Sequence, residues 1–368
     1  MPALYRSPSN PRSFARRRAI AFAAAVGLSA LSAAQTPAAS DETPAPAEGR
    51  SETGAAIALV LPLGSGTFGR AADAVRAGFL AAAAAANVKP MVVGHGDDDV
   101  LAAFNAAKEG GARVIVGPLV RDDLKKVAAS GLELPPTVAL NQLDDAAQLP
   151  ANVYTLTLTL DSDARQLAHR AREAGATTVA VIASDSPLQQ RFAQAFNAEW
   201  ILTGGDAPIM FRFDRSPEVL RALRSDLIKA HADAALLAID GADVALARSY
   251  VKSIPTYTSN QVNENLSREA RYDLDDVLFV DIPWLVDPSG AAYAGLKRPD
   301  YPSVTLDRLY ALGIDAFRVA QAFVDGAPER LDFDGATGRL SLDSSRQIVR
   351  EGRLMVFRSG EVVSAETR

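Results

Sequence analysis

From Ala55 onward the chain alternates short apolar runs with segments of helical periodicity, and the series occurs twice. Apolar runs at 55–62, 90–94, 112–117 and 136–140 read as buried strands, and the segments 68–86, 98–109 and 119–130 between them read as helices. Gly110-Gly111 and Gly131 stand where helix C-caps are expected. After the extended "VYTLTLTL", the helix "SDARQLAHRAREAG" takes Ser162 or Asp161 as its N-cap. "TTVAVIAS", "PIMFRFD", "DAALLAID" and "PTYTSN" then alternate with three more helices. Strands separated by helices demand right-handed crossovers and a mostly parallel sheet covered on both faces. Two such units suit 368 residues, and they predict two lobes with a cleft outside the carboxyl ends of the strands.

The first 54 residues do not share this pattern. Arg12, Arg16, Arg17 and Arg18 precede the apolar "AIAFAAAVGLSALSAA", and Ser32 and Ala34 suit the −3 and −1 positions of a cleavage site. The expectation is a signal peptide over 1–34, leaving Gln35 first, by the general secretory or the twin-arginine route; an uncleaved anchor is the alternative. Residues 35–54 are rich in Pro, Ala, Ser, Thr and Glu and read as a disordered linker. Loss of the five arginines in residues 1–34 takes the formal net charge from −6 to −11. That sign opposes nucleic acid and anionic membrane surfaces. No cysteine is present, which excludes disulfides, thiolate metal sites, a Cys nucleophile and a lipid-bearing lipobox Cys.

Gly64, Gly66 and Gly69 in "PLGSGTFGR" have the spacing G-x-G-x-x-G between a strand and a helix. Three readings are open. The turn is a dinucleotide cradle, with Asp97 late for the ribose; it is an anion site at a helix N-terminus; or its glycines simply permit a tight turn. Export disfavours an exchanging nicotinamide, and no cofactor is expected.

If the cleft binds a ligand, Ser65, Gly66 and Thr67 form its first-lobe rim, with Gly117, Pro118, Asn141 and Gln142 at the next strand ends. Ser184, Asp185, Asp240, Ser259 and Asn260 face them from the second lobe. Each is equally a loop residue capping the next helix. Asp281 and Trp284 in "FVDIPW" mark either a partner edge or an indole packed at the lobe crossover, and Trp200 reads as core. His95, His169 and His231 form no H-x-x-x-H pair, and the acidic runs 96–99 and 273–276 lack a calcium loop, so no metal is expected. There is no G-x-S-x-G elbow, and no catalytic residue is assigned.

The stretches "IALVLPLGSGTFGRAADAVRAGFLAA", "VIVGPLVRDDLKKVA" and "VALNQ" resemble the first lobe of type I periplasmic binding proteins. "YDLDDVLFVDIPWLV", "RLYALGIDAFRVA" and "FDGATGRLSLD" narrow the resemblance to the penicillin-binding-protein activator (LppC) family, over roughly residues 55 to 360. The resemblance implies a two-lobed α/β fold of the type I periplasmic-binding-protein kind, each lobe a doubly wound sheet. The lobes would be 55–155 plus 276–342, and 156–275 plus 343–368. It also implies a non-catalytic periplasmic protein that activates a class A penicillin-binding protein, the peptidoglycan synthase, by direct contact. Here "LSAAQ" stands where the family carries its lipobox Cys, and only a short linker stands where the best-known members carry a helical repeat domain. The chain is therefore expected to be free of a lipid anchor. The alternatives are a solute-binding protein for an amino acid or small organic acid, and an exported oxidoreductase using the glycine turn.

Overall fold

The computed structural model describes residues 55–143, 149–251, 254–264 and 266–365. The expected signal peptide and linker lie outside them.

Two sheets form the two lobes. The first has the order β11-β12-β13-β5-β4-β3-β1-β2. Its parallel part comprises β1 (Ile57–Leu61), β2 (Met91–Gly94), β3 (Val114–Val116), β4 (Thr137–Ala139) and β5 (Val153–Leu156). The late strands β11 (Asp332–Asp334), β12 (Arg339–Leu342) and β13 (Gln347–Glu351) complete it, with β13 parallel to β5 and antiparallel to β12. All five residues of β1 are buried, as expected for a strand covered on both faces. On one face Ile57, Leu59 and Leu61 pack with α1 (Gly69–Ala85) and α9 (Val304–Phe323). On the other, Ala58 and Val60 meet α2 (Val100–Glu109) and α3 (Arg121–Ala129).

The second sheet has the order β15-β14-β10-β9-β8-β6-β7. It holds β6 (Val179–Ala183), β7 (Ile209–Arg212), β8 (Ala234–Ala238), β9 (Thr256–Thr258), β10 (Val277–Asp281), β14 (Arg353–Arg358) and β15 (Glu361–Ser364). One face packs on α4 (Leu160–Glu173) and α5 (Pro187–Leu202), where Trp200 is fully buried. The other packs on α6 (Pro217–Lys229) and α7 (Val244–Arg248). The short α8 (Arg268–Tyr272) carries the chain toward β10.

The ladders correct the expected lobe boundaries in two places. β10 pairs with β9 and β14, so residues 277–281 belong to the second lobe, not the first. β13 pairs with β5 and β12, so the first lobe runs on to Glu351. Apolar alternation shows that a strand exists but not which distant strand it joins. The start of α4 is a second correction. The helix begins at Leu160 after Thr159, which puts Asp161 and Ser162 in its first turn rather than at its cap. Their side chains are used elsewhere: Asp161 accepts from Arg191, and Ser162 donates to the Arg350 carbonyl.

Candidate functional site

The carboxyl ends of β8, β9 and β10 face the N-terminus of α9 across a cleft between the lobes. A cavity of about 650 Å³ lies there. Its polar wall includes Arg121, Asp161, Arg191, Asp240, Asn260, Glu264, Arg308 and Arg350, and Leu158, Leu188, Ile282 and Leu309 supply apolar surface.

Of the residues expected at the cleft, Asp240 and Asn260 line this cavity, and Gln142 lines a neighbouring one of about 880 Å³ between α4 and β13. The others line neither. Ser65 is buried, and its Oγ accepts from the amides of Thr67 (3.2 Å) and Phe68 (3.0 Å). The Gly69 amide donates to the Ser65 carbonyl, and that of Gly64 to His95. These amides of the glycine turn are satisfied within the chain, so the loop forms a tight strand-to-helix turn. Gly66 and Thr67 are exposed on it. Gly117 has φ +122°, and a Cβ there would stand 2.2 Å from the Val60 carbonyl oxygen, so only glycine fits. Gly117 and Pro118 are buried, and Asn141 Nδ2 donates to the Leu119 carbonyl. Asp185 pairs with Arg212 at the surface. Ser184 and Ser259 keep buried hydroxyls without a protein partner.

The residues that the sequence reading missed carry the strongest electrostatics. Arg308 on α9 meets Asp281 with two parallel bonds, Nε to Oδ1 at 2.9 Å and Nη2 to Oδ2 at 2.7 Å. It also donates to Glu264 Oε2 (3.2 Å) and to the Asn260 carbonyl (3.0 Å). Arg350 donates to Asp163, and Asn260 Nδ2 donates to the other Asp163 oxygen at 3.0 Å. Burial pushes the Asp163 carboxyl up to about 6, against the pull of Arg350. Burial lowers Arg308, but Asp281, Glu264 and Asp163 together outweigh it and hold the guanidinium above its ordinary value.

A periodic signal for both arginines exists in the sequence. Arg308, Leu312 and Asp315 fall on one face of α9 at i, i+4 and i+7, amid apolar neighbours. Arg350 shares the inward face of β13 with Ile348 by the period of two.

Trp284 is 1% exposed and packs in the first-lobe core just after β10. Its ring meets Tyr293 at 5.2 Å and Tyr310 at 5.4 Å between centroids, and Arg298 lies over it at 4.0 Å. Its amide donates to the Ala336 carbonyl. Asp315 accepts from the amides of Ala336 (2.8 Å) and Thr337 (2.7 Å) and from the Thr337 hydroxyl (2.6 Å). The stretches around Asp281, Tyr310 and Ala336 thus meet in one buried node where the chain passes between lobes. Among the described residues no group of His, Asp and Glu is arranged to hold a metal, and no helix is long and apolar enough to cross a membrane.

Two mostly parallel, helix-flanked sheets joined around a cleft define a type I periplasmic-binding-protein-like protein. Within that class the chain belongs to the LppC family, whose model, "LppC putative lipoprotein", matches residues 50–242 and 236–360. Curated relatives include "Penicillin-binding protein activator LpoA" of Mannheimia succiniciproducens, 28% identical over 323 residues (83% of this chain, 54% of the relative). The protein of the same description from Glaesserella parasuis is 28% identical over 320 residues (84% of this chain, 54% of the relative). The chain spans about half the length of these relatives. Among solved structures, the "LpoA (YraM) C-domain from Haemophilus influenzae, a regulator of PBP1A" superposes with a TM-score of 0.72 at 22% identity, covering 84% of this chain and 99% of that one. A "putative branched-chain amino acid ABC transporter" of Chromobacterium violaceum superposes with a TM-score of 0.73 at 32% identity, covering 82% and 99%.

Proposed function

We propose that this chain is a non-catalytic periplasmic regulator of peptidoglycan synthesis that activates a class A penicillin-binding protein by direct contact. The observation that carries this reading is its kinship, over 83% of its length, with proteins described as penicillin-binding protein activators. The chemistry of the cleft supports it. Among the described residues its arginines are already engaged, Arg191 with Asp161, Arg308 with Asp281 and Arg350 with Asp163. The synthase reads a surface of the two-lobed body, and that contact biases it toward its active conformation.

The test is to mix the purified chain from Gln35 with the class A penicillin-binding protein of its own cell. Binding, glycan synthesis and crosslinking rates are recorded. Specific binding with a rate increase is expected; neither, at tens of micromolar, would remove the reading for that synthase.

The 32% identity to the Chromobacterium violaceum protein favours a second reading, a receptor for an amino acid or small organic acid. It predicts that a branched-chain amino acid raises the melting temperature by linkage. The activator reading predicts no such shift.

A further inference from the structure

Among the described residues the chain passes between the lobes three times: after β5 through residues 157–159, after β10 at Ile282, and between β13 and β14 at Gly352. Rotation of one lobe on the other would be absorbed by backbone changes at these passages. Each is held by polar groups from elements on the other side.

At the third passage, Gln166 of α4 brackets Gly352. Its Nε2 donates to the Gly352 carbonyl (2.6 Å) and its Oε1 accepts from the Gly352 amide (2.9 Å). A Cβ on Gly352 would stand 2.6 Å from Val280 Cγ1 and 3.0 Å from the Asp281 carbonyl oxygen, so this strand runs in contact with the end of β10. At the second passage Arg308, from the first lobe, is plugged into three second-lobe acceptors: Asp281, Glu264 and the Asn260 carbonyl. Thr305, one turn earlier, donates to Glu264 at 3.0 Å. At the first, Asp163 of α4 takes Arg350 from the first lobe. Asn260 ties the two ion pairs together, its amide on Asp163 and its carbonyl under Arg308.

We infer that this hinge is locked: the linked pairs Arg308–Asp281 and Arg350–Asp163 hold the lobes in one arrangement, and the cleft does not close on a ligand. The reason is desolvation. Arg308, Asp281, Asp163 and Arg350 are all nearly or fully buried. A rotation that parts either pair leaves charges buried without partners, a far larger penalty than the loss of a surface ion pair. A ligand closes such a cleft only if its differential affinity for the closed form exceeds that penalty. The lock holds whichever partner the protein serves.

The test uses the absence of native cysteine. Asp122→Cys on α3 and Glu218→Cys on α6, both at exposed positions of opposite lobes, carry nitroxide labels on the full chain. Double electron–electron resonance should give one narrow distance that L-leucine does not move. Adding Arg308→Met, or the milder Arg308→Lys, which keeps the charge but loses the two-pronged bond to Asp281, should broaden it or add a second distance while circular dichroism stays folded. If Arg308→Met does not fold, Arg308→Lys and the parent distribution decide. A broad or two-peaked parent distribution, a shift with leucine, or an unbroadened distribution in every folded variant would overturn the lock. None of these outcomes bears on synthase activation, which the rate assay reads separately.

Discussion

Gly78 and Gly313 lie at the crossing of α1 and α9, each against the other helix's backbone. A Cβ on Gly78 would stand 1.9 Å from the Tyr310 carbonyl oxygen, and one on Gly313 would stand 2.0 Å from that of Val75. Glycine inside a helix costs about 1 kcal/mol relative to alanine, so only this close approach explains the pair. Gly313→Ala should therefore destabilise the protein, by about 1–3 kcal/mol from overpacking, despite its better helix propensity. Urea unfolding checks this; a more stable variant would contradict the crossing.

Asp315 ties the turn at Ala336–Thr337 to α9. Burial raises its carboxyl above the ordinary range, against the Thr337 hydroxyl and two amides. Asp315→Asn keeps the shape but turns one acceptor into a donor facing N–H groups. A loss of about 1–3 kcal/mol is expected, as for a buried unsatisfied group. Hydrogen exchange at the Ala336 and Thr337 amides should rise ahead of the rest of the chain.

Asp163 predicts a pH signature. Its folded value, about 6, lies above the ordinary 3.8. The folded chain therefore binds the extra proton between these values, and the stability it contributes is complete below 3.8 and lost as pH rises through about 6. Asp163→Asn has no such proton. Its melting deficit against the parent should be larger at about pH 4 than at about pH 7. Equal deficits would refute the assignment.

Ser65 Oγ closes the turn that leads into α1. Ser65→Ala removes the acceptor of two amides before α1 and should cost about 1 kcal/mol, as for a lost N-cap. Under the proposed function, activation of the synthase should be unchanged at equal folded concentration. A selective loss of activation would return the glycine turn to the functional surface.

Particular residues show what was legible. The five-residue apolar run of β1 and the strand ends at Asp240 and Asn260 were readable because burial and chain reversal leave local patterns. The membership of β10 and β13 was not, because strand pairing is a long-range choice. By sequence alone Ser65 and Gly117 suit a cleft rim, because a turn that binds and a turn that only bends use the same small residues. The periodicity around Arg308 and Arg350 puts charge on buried faces. What the pattern does not state is that Asp281 and Asp163 wait for them on another lobe.

The three passages between lobes mean that neither lobe is one continuous stretch of chain. The first needs residues 332–351 and the second needs 353–364, so both sheets gain their last strands only from the end of the sequence. A stop codon shortly before residue 332 would strip strands from both lobes at once. No single exchanged gene segment could replace one lobe and spare the other. Exchange of a whole lobe therefore takes more than one segment of chain, because the two sheets are interleaved along the sequence.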